Sequence, residues 1–235
     1  MTEKKVDDAV NHFSGYVSQF HAHYQDRPDF QERLDVWREL LDKYRVPRGL
    51  SIDMGCGTGV LSFELANRGG SVVGVDGAPE MVKFCEAQRS ERGLDNIRFI
   101  EARLPSVDES DLTNADLIIS SSVVEYVEDF DAVLALFSRL LGPRGTLILS
   151  MPNVFCINRV YERLKYKLTG EPHIYRHIRH FSSPRRLQMR TGPLGLGLEE
   201  VRYYAHFTRL ARLTRRMRLP LSFTEDLFVA VLTKS

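Results

Sequence analysis

The stretch Asp53-Met54-Gly55-Cys56-Gly57-Thr58-Gly59 decides the reading of this chain. It follows a short apolar run, Gly49-Leu50-Ser51-Ile52-Asp53, that reads as a buried strand, and it opens a segment from Gly59 to Arg68 that reads as a helix. Glycines between a strand and a helix permit a tight turn with positive backbone dihedrals and let a ligand approach the main chain without meeting a Cβ. Amides exposed at the helix start favour a carboxylate or another electron-rich group. The next apolar run, Ser71-Val72-Val73-Gly74-Val75-Asp76, ends in an acid, whose side chain can accept both hydroxyls of a ribose. A glycine pattern by itself is weak evidence, whereas strand, Gly-x-Gly-x-Gly, helix, strand and terminal acid in that order are much stronger.

Outward from this centre the period alternates. Pro79 to Arg92 reads as a helix, Ile97 to Glu101 as strand three, Ala115 to Ser120 as strand four, Phe130 to Leu141 as a helix and Gly145 to Met151 as strand five. Strands alternating with helices imply parallel βαβ units with right-handed crossovers. Apolar runs such as Leu117-Ile118-Ile119 suit a sheet covered on both faces. Upstream, Val6, Val10, Phe13, Val17, Phe20 and Tyr24 form a helical stripe, and a second helix runs from about Phe30 to Tyr44 with Leu34, Trp37, Leu40 and Leu41 inward. Downstream, Ser182-Ser183-Pro184 has the form of a helix start. Leu198 to Ala205 and Leu227 to Leu232 read as closing strands, with a basic helical stretch, Arg209 to Leu219, between them.

The 235 residues, 43% of them hydrophobic, suffice for one sizeable core. Cys56, Cys85 and Cys156 have no ligand-like spacing and cannot all pair within one chain, which points to a reducing, cytoplasmic setting and to no metal. The start, MTEKKVDDAVNHF, lacks the apolar centre of a signal peptide. A net charge of +1 hides an asymmetry. Residues 1–156 hold 16 Lys/Arg against 25 Asp/Glu, and residues 157–219 hold 15 against 4. A basic segment on an acidic body either meets something anionic or pairs with the body's own carboxylates.

The ordered motifs are similar to those of a known family. DMGCGTG (53–59) resembles the first motif of class I S-adenosylmethionine-dependent methyltransferases, and VVGVD (72–76) resembles the second. RFIEARLP (98–105), ADLIISSSVVEYVED (115–129) and LLGPRGTLILSMPN (140–153) resemble the segments around strands three, four and five. The resemblance is firm over about residues 45–153 and looks closest to the ubiquinone-biosynthesis-like, small-molecule branch. It implies a Rossmann-like α/β fold: a mostly parallel seven-stranded sheet with helices on both faces. Its parts would be an N-terminal helical lid (1–45), a cofactor-binding core (46–153), a substrate-covering insertion (154–190) and closing strands (191–235).

The resemblance also implies roles. Gly55, Gly57 and Gly59 would line the amino-acid end of S-adenosylmethionine, with Asp53 near its ammonium and Asp76 on the ribose. Gly77 follows Asp76, and Met81, Glu101 and Ala102 would lie near the adenine, Glu101 standing where the family often has Asp. Ser120 and Ser121 would face the sulfonium and the methyl. Tyr16 and Tyr24 lie on the helix that in relatives folds over the cofactor. Tyr126 stands where relatives often carry a histidine base, so the candidate bases for deprotonating an acceptor are His21, His23, His173, His177 and His180, with His177 and His180 ranked first because they lie in the covering region. S-adenosylhomocysteine would be the product.

The expected activity is methyl transfer to a small molecule, at oxygen before nitrogen or carbon, the acceptor being anionic or lipid-like. A methyltransferase acting on RNA or protein and a non-catalytic protein retaining the fold are the rivals. Ile157, Val160, Tyr161, Leu164 and Leu168 form one helical face beside Arg159, Arg163, Lys165 and Lys167. Such a helix either packs its apolar face on the sheet as a cap, the commoner use, or lies on an anionic membrane surface. Nucleic-acid contact is disfavoured because the basic residues mix with many aliphatics and no RNA-binding module is added.

Overall fold

In the computed structural model, which describes residues 17–44, 46, 48–205 and 219–235, the apolar runs assemble into one seven-stranded sheet. Strands β1 (Leu50–Met54), β2 (Ser71–Asp76), β3 (Ile97–Glu101), β4 (Ala115–Ser120) and β5 (Leu141–Pro152) are parallel. Strand β7 (Leu227–Lys234) pairs antiparallel with β5, and β6 (Leu196–Tyr204) antiparallel with β7, giving the order β3-β2-β1-β4-β5-β7-β6. At the centre Ile52 is in register with Val73 on one side and Ile118 on the other.

Side chains alternate across the pleat, so each strand feeds two cores. Ile118 joins a cluster with Val133, Phe137 and Leu149, while Leu117 and Ile119 join another with Trp37, Leu41, Phe63 and Phe99. Helices α1 (Val17–Asp26), α2 (Pro28–Tyr44), α3 (Val60–Ala66), α4 (Pro79–Arg92) and α5 (Phe130–Leu140) accompany these strands. In α2 the buried residues are Leu34, Trp37, Leu40 and Leu41, the stripe read from the periodicity. Asp129 caps α5 by accepting from the Ala132 amide at 2.9 Å. The expected Ser183 cap of α7 (Pro184–Thr191) forms at Arg186 N, 3.4 Å.

Two strand starts differ by more than one residue from the sequence reading. β5 begins at Leu141 and not at Gly145, because α5 passes directly into the strand at Leu141, where the backbone becomes extended. β6 begins two residues before the expected Leu198. Between β5 and β6 lie α6 (Ile157–Thr169), a short 3-10 turn (His173–Arg176) and α7, and α8 (Leu221–Thr224) precedes β7. Tyr16, the rest of the first stripe before Val17 and most of the basic stretch from Arg209 lie outside the described residues. No helix of the described residues is long and apolar enough to cross a membrane.

The chain steps outward from β1 to β2 and β3, then returns to place β4 on the other side of β1. Loops leaving β1 and β4 therefore diverge, and a crevice opens beyond the carboxyl ends of these strands.

Candidate functional site

The glycine turn and the β2 acid form one hydrogen-bonded unit at this crevice. The amides of Gly55 and Cys56 both donate to the Val75 carbonyl, at 2.7 and 2.9 Å, which ties the turn to β2. The Gly57 amide donates to Asp76 Oδ2 at 2.8 Å, and the Ala78 amide to Asp76 Oδ1 at 2.9 Å. At Gly55 φ is +81°, and an added Cβ would stand 2.2 Å from Val123 Cγ2, so both dihedral and space require glycine. Burial raises the Asp76 carboxyl above its usual range, and the amide bonds oppose that shift. A carboxylate offers about four lone-pair sites, so Asp76 keeps acceptor capacity. Asp53 is buried beneath the turn, accepts from Ser62 Oγ at 2.6 Å, and is pushed up to about 7 by desolvation.

A cavity of about 880 Å³ occupies the crevice. Of the sequence-derived cofactor residues, Asp53, Gly55, Gly57, Asp76, Gly77, Met81, Ala102, Ser121 and Tyr24 line it. Gly59 does not; it caps α3 in a left-handed conformation. Glu101 is exposed and off the cavity, and the following Ala102 takes the wall position. Ser120 is also off it, because its Oγ is buried and donates to the Met54 carbonyl at 3.0 Å.

The two histidines ranked first as bases are not brought to the cavity. His180 Nε2 lies 2.9 Å from the Val127 carbonyl, so that nitrogen donates, and its ring stacks on Phe130 at 5.4 Å. His177 follows the 3-10 turn, its amide bonded to the Ile174 carbonyl. Among the described residues, none between 154 and 190 is part of the cavity lining.

Of the wall residues that the sequence reading does not assign to the cofactor, Arg33, Thr58 and Tyr126 bear most on the chemistry. Arg33 reaches from α2, its Nη2 donating to Ser121 O at 2.9 Å and Ser121 Oγ at 2.6 Å. Its Nε is buried without a hydrogen-bond partner. Thr58 Oγ1 is likewise buried and unpartnered. Tyr126 lines the cavity, and burial raises its hydroxyl above the ordinary tyrosine range, which holds it protonated and excludes it as a base at neutral pH. Arg33 did carry a signal: it precedes Trp37 by four and Leu41 by eight residues, which puts a charge on the apolar stripe of α2.

Comparison with known proteins agrees with this geometry. A family model described as a methyltransferase domain matches residues 50–190. The ubiquinone biosynthesis O-methyltransferase of Xanthomonas axonopodis pv. citri is 30% identical over 177 residues, 70% of this chain and 70% of that protein. Nocamycin O-methyltransferase of Saccharothrix syringae is 35% identical over 123 residues, 50% of this chain and 43% of that one. Among solved structures, the magnesium protoporphyrin IX methyltransferase of Synechocystis with bound S-adenosylhomocysteine superposes with a TM-score of 0.74 at 19% identity, covering 98% of this chain and 100% of that chain. At that identity the likeness speaks for the fold.

Proposed function

Since the chain belongs to the methyltransferase-domain family and is an S-adenosylmethionine-dependent enzyme, we propose that it methylates an oxygen of a small acceptor bound in the same cavity as the cofactor. The observation that carries this reading is the cavity itself. Its 880 Å³ lies near the top of the ~300–1,000 Å³ range of small-molecule pockets, which favours two ligands side by side. Its lining combines polar groups, the glycine turn, Asp53 and Asp76, with the apolar side chains of Leu104, Pro105, Val123 and Val127. Arg33 and Arg103 are the basic residues of its lining, so the basic residues of 157–190 stand elsewhere, which counts against RNA at this site. The names of the two curated relatives, both O-methyltransferases, favour oxygen as the acceptor atom.

The residues fit the cofactor. Arg33 Nε and Thr58 Oγ1 are buried polar atoms that lack partners until a ligand supplies them. In this reading Arg33 meets the methionyl carboxylate, Asp53 the ammonium, the bare main chain of Gly55 and Gly57 the methionyl chain, and Asp76 the ribose hydroxyls. Met81 and Ala102 flank the adenine. S-adenosylmethionine supplies a methyl carbon already activated by a sulfonium, so the protein's task is alignment and exclusion of water. Arg33, by bonding Ser121, joins the lid helix to the loop after β4 and fixes one wall against the other. Tyr126, held protonated, donates a hydrogen bond toward an acceptor oxygen and withdraws no proton from it.

Methyl-labelled S-adenosylmethionine incubated with the protein and a fractionated metabolite extract tests this reading. Label in a small hydroxylated or carboxylated compound, removable as an ether or ester, is the expected result. Label recovered in RNA or protein, or on nitrogen or carbon of the acceptor, contradicts it.

A further inference from the structure

Helix α6 is inside out. At about 100° per residue, Val160, Leu164, Ile157, Leu168 and Tyr161 fall within one arc of about 100°. That arc faces solvent, with Leu164 58% and Leu168 86% exposed. The opposite side is buried and polar. Asn158 Nδ2 donates to Asp226 Oδ1 at 2.8 Å, Arg159 Nε lies 3.5 Å from the same carboxylate, and the Tyr175 hydroxyl donates to Glu162 Oε2 at 2.7 Å. The helix is thus anchored by its charges and presents its hydrocarbon. Exposed Phe155 precedes it, and α8, packed against it, adds exposed Leu221 and Phe223.

The charges around this stripe identify what covers it. Lys165 and Lys167 flank the stripe on its two sides, with Arg163 beyond. Arg186 stands over the Phe155 ring at 5.7 Å. No exposed residue of α6 is acidic, because Glu162 is turned inward. A second copy packed face to face would oppose lysine to lysine, whereas an anionic lipid surface receives both the hydrocarbon and the flanking cations. The body, with 25 acids to 16 bases in residues 1–156, is repelled by such a surface, which favours contact through this face alone.

We propose that the apolar stripe of α6 and its flanking lysines, with the neighbouring tip of α8, form a docking surface for an anionic membrane. The proposal is independent of the acceptor assigned above. The end of the same segment is tied to the cavity rim: the Arg179 and His180 amides donate to the Glu125 carbonyl at 2.8 and 3.2 Å, and His180 Nε2 to Val127.

Co-sedimentation of the full chain with phosphatidylglycerol–phosphatidylcholine vesicles tests it. Binding to these vesicles, absent with pure phosphatidylcholine and weakened by salt, is the expected result. The pair Leu164→Glu with Leu168→Glu, and separately Lys165→Glu with Lys167→Glu, should each weaken partitioning about tenfold or more. Both pairs change exposed side chains, so S-adenosylhomocysteine affinity should stay as in the unaltered protein. Absent binding, equal binding to neutral vesicles, or a dimeric mass in solution that Leu164→Glu with Leu168→Glu reduces to a monomer overturns the proposal, the last assigning the stripe to a second copy.

Discussion

The parallel sheet and the segment between β5 and α7 are built on opposite rules. In the sheet, strands bury aliphatic side chains on both faces, and Ile118, Ile119, Ile148 and Leu149 are fully enclosed. In α6 the enclosed side chains are Asn158 and Arg159, at 1% and 8% exposure, and the aliphatics point outward. The core is held by the removal of hydrocarbon from water; the segment is held by a buried carboxylate, Asp226, that both Asn158 and Arg159 address. Amphipathicity therefore states that a helix has two faces, and the partner available at the docking point decides which face goes in.

Substitutions break this contrast in order of size. Leu149→Ala should cost about 3 kcal/mol or more, read as a shifted urea midpoint, because it leaves a cavity in the core it shares with Ile118, Val133 and Phe137. Arg159→Ala should cost about 3 kcal/mol for the opposite reason, since it leaves a buried carboxylate without its cation. A neutral result for Arg159→Ala would remove the charge-anchored account of α6. Leu168→Ser should change stability by less than about 0.5 kcal/mol.

A titration separates the site from both regions. Asp53 is raised to about 7 by burial, so the folded protein holds a proton that the unfolded chain releases near the ordinary aspartate range. The folded state then binds more protons than the unfolded one between about pH 4 and 7, and stability of the ligand-free protein falls as pH rises through that window. Glu125, also raised to about 7 by burial, acts in the same direction. Urea midpoints between pH 4 and 8 should slope downward, and Asp53→Asn should flatten part of the slope; an unchanged slope would show that Asp53 is already ionised in the folded protein.

The sequence exposes the sheet because periods of two and alternating helices are local properties, and it exposes the glycine turn because φ near +81° at Gly55 excludes other residues. It hides what depends on the arrival of distant chain. Arg33 stands out as a charge on the stripe of α2, yet nothing local names its partner Ser121, 88 positions along the sequence. His180 is a candidate base in the sequence, yet its Nε2 donates to the Val127 carbonyl, its ring stacks on Phe130, and it is not part of the cavity lining. Glu101, the last residue of β3, is exposed, and the residue that follows the strand, Ala102, takes the cavity wall. The orientation of α6 was beyond reach for the same reason, because Asp226 lies 67 or 68 residues further along the chain.

Calorimetric titration with S-adenosylhomocysteine, on the unaltered protein and on Asp76→Ala, tests the central claim most directly. The account predicts one site per chain and a weakening of about tenfold or more in the variant, since two loop amides and the ribose hydroxyls lose a charged acceptor together. No heat from a folded protein, or equal affinity in the variant, would contradict it.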